Sequence, residues 1–392
     1  MSNRHVNSSQ NDREAPPLRV LIVAPSLHIL GGQAVQAARL LEQLKKESSL
    51  DVSFLPVNPR LPGLLSNLQR VKYLRTIVTE VLYLISLAAR IPRFDVIHIF
   101  SASYVSFILA PAPAILVAKL FGKRVVLNYR SGEAEDHLRR WPVSTRYLIG
   151  MVDEVAVPSG FLVEVFKRFG FHARSIFNFV DTARFRFRRR AAMRPVFLSN
   201  RNFEAHYNVG CVLRAFSIIQ KKFPEAELTI AGDGPQREQL EALAKTLDLR
   251  NVTFVGLVPQ EKIAPLYDEA DIYLNCSDID NMPGSLIEAF ASGLPVVTTE
   301  AGGIPYIVSH GQTGLLVRCG DYQGIADEVI RLLEDPALAE TISDAAHREC
   351  QKYEWGAVRD EWLKLYAKLS PKFPKWDRMT EATTPTLKQR NP

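Results

Sequence analysis

Short β-branched runs separated by helical patterns recur along almost the whole chain, and few architectures accommodate that alternation. In the first half the runs are RVLIVA (19–24), DVSFLP (51–56), FDVIHIF (94–100), KRVVLNY (123–129) and DEVAVPS (153–159). The second half repeats the scheme with RPVFLS (194–199), AELTIAG (226–232), NVTFVG (251–256), ADIYLN (270–275), PVVTT (295–299) and GLLV (314–317). Strands joined through helices pair in parallel, and parallel sheets need helices on both faces. The expected fold is α/β with two doubly wound, Rossmann-like domains. Between the first two runs, QAVQAARLLEQLKK reads as a crossover helix with Val35, Ala38, Leu41 and Leu44 on its apolar stripe and Lys45 and Lys46 at its carboxyl end.

Domain limits follow from the breaks in this pattern. A polar leader over 1–17 lacks the apolar segment of a signal peptide and is expected to be disordered. The first domain then covers 18–185 and the second 194–353. Between them, 186–193 lies inside the basic, structure-poor RFRFRRRAAMRP (184–195), whose composition suits a linker. A C-terminal helix over 354–370 can cross back to the first domain, and 371–392 is expected to be a disordered tail. VSFILAPAPAILVA (105–118) is the most membrane-like run, but it is shorter than the roughly 20 residues of a spanning helix and carries Pro111 and Pro113. It is expected to be a buried helix.

Charge is shared unevenly. Residues 1–190 carry 27 Lys and Arg against 14 Asp and Glu, whereas 191–392 carry 21 against 28. A basic half suits phosphates or an anionic membrane surface. No aromatic RNP strand or recognition-helix pattern accompanies it, so nucleic acid is not an expected partner. The four cysteines, Cys211, Cys276, Cys319 and Cys350, have no CxxC spacing, which argues against a zinc site or a disulfide framework and suits a reducing cytoplasm. The expected location is cytoplasmic, with peripheral contact at the inner face of the membrane left open.

Several familiar chemistries are excluded by motif. Gly232 and Gly234 follow a strand in AGDGPQREQL, but Arg237 stands where a dinucleotide fingerprint needs its third glycine. GxxxxGK[ST], HExxH and GxSxG are all missing. What remains is DNMPGSLIEAFASGLPVVTTEAGGIP (280–305). Pro283, Gly284 and Ser285 open a helix that Gly293 and Pro295 close. Its unpaired N–H groups and positive dipole end suit a phosphate or diphosphate. Glu288, one turn in, can accept two hydrogen bonds from a ribose diol, and Asp280 can receive hydroxyls of a group beyond the diphosphate. Taken alone, a turn-capping Asp280 and a solvated Glu288 are the plainer assignment.

The surrounding blocks reverse that preference. DNMPGSLIEAFASGLPVVTTEAGGIPYIV resembles the defining region of the family 4 (group 1) retaining glycosyltransferases of the GT-B fold. AGDGPQREQLEALAKTLDLRNVTFVGLVP, ADIYLNCS and LHILGGQAVQAARLLEQL are similar to further blocks of that family, in the same order, over about 18–368. The resemblance implies two domains facing a central cleft, and a donor bound by a Glu-x7-Glu motif, here Asp280 and Glu288. It assigns the diphosphate to the backbone of Gly284 and Ser285 and to Arg201, and brings Gly31 and Gly32 close to the donor phosphates or acceptor. Asn178 and Asp181 are expected to shape turns only.

This chain departs from the family pattern at three places. The first acid of the motif is one methylene shorter; Tyr207 stands where relatives carry a lysine; and Arg130 follows RVVLNY where many have a histidine. His137 falls on the next helix, and Glu133, Glu135 and Asp136 read as its amino end. The expected catalytic set is thus Asp280, Arg201 and Arg130. The resemblance implies a hexosyltransferase-type enzyme of polysaccharide biosynthesis that moves a sugar from a nucleotide diphosphate sugar to a glycan or lipid-linked acceptor, retaining configuration without a metal or other cofactor. A nucleotide-sugar epimerase and a non-catalytic nucleotide-sugar-binding protein remain as alternatives.

Overall fold

The computed structural model describes residues 16–26, 32–59, 72–101, 103–190 and 192–370. The leader except its last two residues, the tail and Gly31 lie outside these segments. Among the described residues, twelve strands form two six-stranded sheets. The first contains β1 (Leu18–Ala24), β2 (Leu50–Pro56), β3 (Val96–Ser101), β4 (Arg124–Tyr129), β5 (Glu154–Val157) and β6 (Arg174–Ser175), in the order β2-β1-β3-β4-β5-β6. The second contains β7 (Val196–Asn200), β8 (Glu227–Ala231), β9 (Val252–Gly256), β10 (Ile272–Asn275), β11 (Val296–Thr299) and β12 (Leu315–Val317), in the order β12-β11-β10-β7-β8-β9. Every pairing within the sheets is parallel. All eleven expected strands are present. The two-residue β6 has no apolar run to announce it.

Alternation along a strand divides the first core. Leu21 and Val23 of β1 face one side, where Tyr83, Leu87, Ile115, Leu148 and Phe166 cover the sheet. Val20, Ile22 and Ala24 face the other, against Leu40 and Leu44 of the helix Gly32–Leu44 and Trp362 and Tyr366 of the helix Trp355–Leu369. The C-terminal helix thus completes one face of the first sheet, and Tyr366 Oη lies 2.7 Å from Nδ1 of the buried His98 on β3. Fully burying a side chain such as Leu365 contributes about 1.5–3 kcal/mol.

Two expectations about local structure need correction. The buried stripe of Gly32–Leu44 runs through Ala34, Ala37, Leu41 and Leu44, not Val35 and Ala38, which are partly exposed. The run 105–118 is two helices, Tyr104–Leu109 and Pro111–Leu120, because Pro111 starts a new helix where a continuous one would need its missing N–H. Val105 and Leu116 of that run are exposed rather than buried.

The basic segment near 184–195 spends much of its charge internally. Arg188 and Arg194 donate to the fully buried Asp271 at 2.7 and 2.8–3.0 Å. Arg190, itself buried, donates to the carbonyls of Tyr267, Ala270, Ser292 and Gly293. Burial pulls the Arg190 guanidinium down to about 10, still cationic at neutral pH. Burial alone would raise Asp271, but the hydrogen bonds of Arg194 and Arg188 outweigh it and hold the carboxyl below its ordinary value. These arginines fasten the segment to the second domain.

Candidate functional site

Both strand orders contain a switch point, between β1 and β3 and between β7 and β10, and ligands of doubly wound sheets bind beyond the carboxyl ends of strands at such points. Arg201 directly follows β7 and Asp280 lies five residues after β10. Both line a cavity of about 420 Å³ whose wall comes from both domains. Of the expected site residues, Gly32, Arg130, Arg201, Asp280, Gly284, Ser285 and Glu288 all line it.

Glycines set the position of the two loops. A Cβ on Gly232 would stand 2.0 Å from the Arg201 carbonyl oxygen, so the turn after β8 can press against the end of β7 only as glycine. Gly302 has φ +49°, and a Cβ there would be 2.2 Å from the Asp280 carbonyl oxygen; one on Gly303 would be 2.0 Å from that of Asn281. The Gly-Gly turn of AGGIP therefore packs under the loop that carries Asp280, and Gly303 N–H donates to the Asp280 carbonyl at 3.1 Å.

Asp280 and Arg201 form an ion pair, Nη2 to Oδ2 2.5 Å, with Ser277 Oγ donating to the same oxygen at 3.2 Å. The Arg201 guanidinium lies 3.9 Å over the Tyr207 ring, and its buried Nε has no partner among the described residues. The helix Gly284–Ala291 begins beside them. Pro283 gives it no side-chain cap, and Gly284 and Ser285 line the cavity at its amino end. A Cβ on Gly284 would meet only Val180 Cγ2 at 3.9 Å, so the space in front of this residue is the cavity itself.

Glu288 is 5% exposed. Its Oε1 accepts from Gln260 at 3.0 Å and from Arg39 at 3.2 Å, and its Oε2 from Tyr267 at 2.9 Å. Arg39 belongs to the first domain and also donates to the Phe179 carbonyl, so this ion pair bridges the two domains. Burial, followed by the Glu288 charge, pushes the Tyr267 phenol far above its ordinary value and keeps it a donor.

Arg130 faces these groups from the first domain. Its guanidinium donates to Asn128 and Asn178 and lies 5.3 Å from the centre of the Phe100 ring, with no carboxylate partner among the described residues. Burial pulls it down to about 9, which leaves it charged at neutral pH. A half-buried cation held only by amides and an aromatic face is poised for an anion. Asn178 also donates to the Met282 carbonyl at 2.9 Å, so it joins the domains at the cavity wall, a larger part than the turn expected of it. Asp181 does stay at a turn, paired with Arg184.

His137 lies on Ala134–Arg140 away from the cavity, bonded to Tyr129 Oη at 2.8 Å, and burial pushes it down to about 4. Glu133 stands at that helix's amino end and lines the cavity. Among the described residues no group of three or more His, Cys, Asp or Glu is placed to hold a metal. Arg39, Gln260 and Tyr267 are the site residues that the sequence did not reveal. Each comes from a different element, with no shared spacing to link it to Glu288.

Residues 181–349 match the family of glycosyl transferases group 1. The matched segment covers most of the second domain. Asp280, Gly284, Ser285, Glu288 and Arg201 all fall within the matched segment. The chain is 28% identical over 295 residues to sulfoquinovosyl transferase SQD2 of Arabidopsis thaliana, covering 69% of this chain and 56% of that protein. It is 36% identical over 146 residues to N-acetyl-alpha-D-glucosaminyl L-malate synthase of Bacillus anthracis, covering 37% and 38%. The alignments thus span between about two fifths and just over half of these curated relatives.

Solved structures extend the likeness to the whole fold. Sucrose-phosphate synthase from Thermosynechococcus elongatus superposes with a TM-score of 0.75 at 20% identity, over 90% of this chain and 99% of that one. Anabaena HepE, in complex with UDP and glucose, gives 0.68 at 17% identity over 89% and 99%. The architecture is GT-B, with the segment similar to group 1 glycosyl transferases in the second domain.

Proposed function

We propose that this protein is a glycosyltransferase that takes a sugar from a nucleotide diphosphate sugar in the cavity between its domains. The observation that carries the reading is the convergence of Glu288 and Asp280 on either side of the uncapped amino end of Gly284–Ala291, with Arg201 and Arg130 facing the same space. In this reading Glu288 holds the ribose diol. Its present partners Arg39, Gln260 and Tyr267 fix the carboxylate, and one or more of them yields to the hydroxyls. The diphosphate lies on the N–H groups of Gly284 and Ser285 and against Arg201, and Asp280 exchanges its ion pair for hydroxyls of the donor sugar. HepE, whose fold this chain shares, binds UDP and glucose, which supports a uridine donor.

Bond breaking puts new negative charge on the leaving diphosphate, and preorganised cations in a dry site stabilise that charge more than they stabilise the bound donor. Arg201 supplies this from the second domain and Arg130 from the first, so the two meet the donor only when the domains are together. We propose that configuration is retained, that the sugar's bond to phosphate breaks as the acceptor oxygen attacks on the same face, and that the acceptor proton passes to the departing phosphate oxygen. No side-chain nucleophile and no metal is then required. The acceptor, a glycan or a lipid-linked precursor, enters from the first domain, near Glu133 and Arg130. A thermal-shift screen against nucleoside diphosphates and their sugars tests the donor half, because a ligand bound to the folded state raises the melting temperature. NMR of the transferred anomeric centre, with and without chelator, tests the rest; an inverted product or loss of turnover in chelator refutes the mechanism. Consumption of donor to an epimer without acceptor refutes transfer.

A further inference from the structure

The helix Lys72–Arg90 is apolar on two sides. Tyr83 and Leu87 enter the core, while Ile77, Val81, Leu84 and Ile85 form a second stripe, at the i, i+4, i+7 and i+8 spacing of one helix face, that is 44–63% exposed. Its neighbours continue the pattern. Lys72–Arg90 packs on Pro111–Leu120, which packs on Pro142–Gly150 and on Tyr104–Leu109. All four cover the same side of the first sheet, and their outward residues include Val105, Leu116, Leu120, Phe121, Val143 and Tyr147, each at least 42% exposed. Large apolar side chains left in water on adjacent helices mark a surface made for contact.

The charges on this layer identify the contact. Arg75, Arg93 and Arg146 are exposed with no acidic partner among the described residues, and Lys123 at the end of Pro111–Leu120 donates to the Pro92 carbonyl, while Lys119 and Arg124 beside it are paired with Asp153. Glu80 is the only acid on Lys72–Arg90, Pro111–Leu120 or Pro142–Gly150. Self-association through this face would bring like-charged patches together, because a two-fold contact pairs a surface with its own copy. An anionic bilayer offers what both features need: hydrocarbon for the apolar stripe and phosphate for the arginines. Among the described residues no helix is long and apolar enough to cross a membrane, so the layer would lie on the surface.

We infer that the outer face of the helices 72–90, 104–109, 111–120 and 142–150 docks the protein on an anionic lipid surface. The inference deepens the acceptor side of the reading above, and only its bearing on the acceptor rests on that reading. A crossover helix starts beyond the carboxyl ends of the strands, so Arg75 and Ile77 lie toward the end of the first domain where the cavity opens. A lipid-borne acceptor held at the interface would thus approach the site along the first domain.

The test is flotation of the full chain with phosphatidylcholine vesicles, with and without phosphatidylglycerol. Expected is binding that requires the anionic lipid and weakens with salt. Replacing Ile77, Val81 and Ile85 together by serine should weaken it at least tenfold, and Arg75→Glu with Arg146→Glu by a similar factor, at roughly fivefold per cation. Exposed positions leave the fold in place, which melting temperature and circular dichroism verify. Calorimetry with UDP separates the two proposals: a protein that floats with vesicles yet ignores UDP keeps this face and loses the uridine reading. Equal binding by the wild type and the serine variant overturns the inference, as does no binding to anionic vesicles, or a dimer in sedimentation that the serine variant abolishes.

Discussion

Tyr207 stands where a lysine was expected, and the structure gives the exchange a cost that can be measured. Its ring lies 3.9 Å from the Arg201 guanidinium in a partly buried site, a cation–π contact that contributes up to about 2 kcal/mol. In Tyr207→Lys the contact is lost and an ammonium takes its place beside Arg201. Two such charges about 4 Å apart repel by between roughly 1 and 4 kcal/mol, depending on how far water reaches them. Asp280, paired with Arg201, offsets part of this. The net expectation is a loss of about 2–3 kcal/mol of stability in the unliganded protein, read as a fall of several degrees in melting temperature. Tyr207→Phe keeps the aromatic face and should lose less than about 0.5 kcal/mol. Nucleoside diphosphate should reverse the order, because a bound dianion turns the second cation from a repulsive neighbour into a ligand. The thermal shift produced by UDP should therefore be larger for Tyr207→Lys than for the wild type, with an unchanged or higher kcat once donor and acceptor are known. If Tyr207→Lys and Tyr207→Phe are equally stable and respond equally to UDP, the ring does not hold Arg201, and the diphosphate is not beside it.

Glu288→Ala should lose nucleotide-sugar affinity by about 1–3 kcal/mol through removal of a charged acceptor, measurable by calorimetry; unchanged affinity would remove the ribose from this residue. Asp280→Asn should keep free nucleotide binding and lower kcat, and parallel loss of both would contradict its assignment to the sugar. Asp271 is held below its ordinary pKa by Arg194 and Arg188, so its contribution to stability is present above the unfolded value of about 3.9 and is lost as pH falls through the lower folded value. Asp271→Asn should cost about 3–5 kcal/mol at neutral pH, because three arginines lose their buried partner. In denaturant titrations its stability should also change less than that of the wild type at acid pH; equal acid dependence would show that Asp271 is not the group that titrates.

Much of this was legible in the sequence, for a physical reason. Strands of a buried parallel sheet are continuous apolar runs, and the uncapped amino end of a helix opens here on Pro283 and Gly284, so both leave local marks. Arg39, Gln260 and Tyr267 leave none. They come together at Glu288 only through tertiary packing, and Tyr267 in APLYDEA has the spacing of an ordinary core residue. The burial of the arginines of 184–195 was not legible either: nothing near them in the chain announces Asp271, which lies more than 70 residues on. The stripe on Gly32–Leu44 was displaced because periodicity alone does not say which of two adjacent alanine-rich faces meets the sheet.

The helix Trp355–Leu369 has a consequence for the order of events during synthesis. The first sheet leaves the ribosome early, yet the face that Leu40 and Leu44 cover in part stays incomplete until Trp362 and Tyr366 arrive, after the whole second domain has been made. Through that interval the part of this face that the last helix covers is exposed to water. A nascent chain stalled before residue 355 should therefore be bound by chaperones at its first domain even when its second domain is already native. Release of the last helix, rather than completion of either sheet, is the step that makes the molecule resistant to protease.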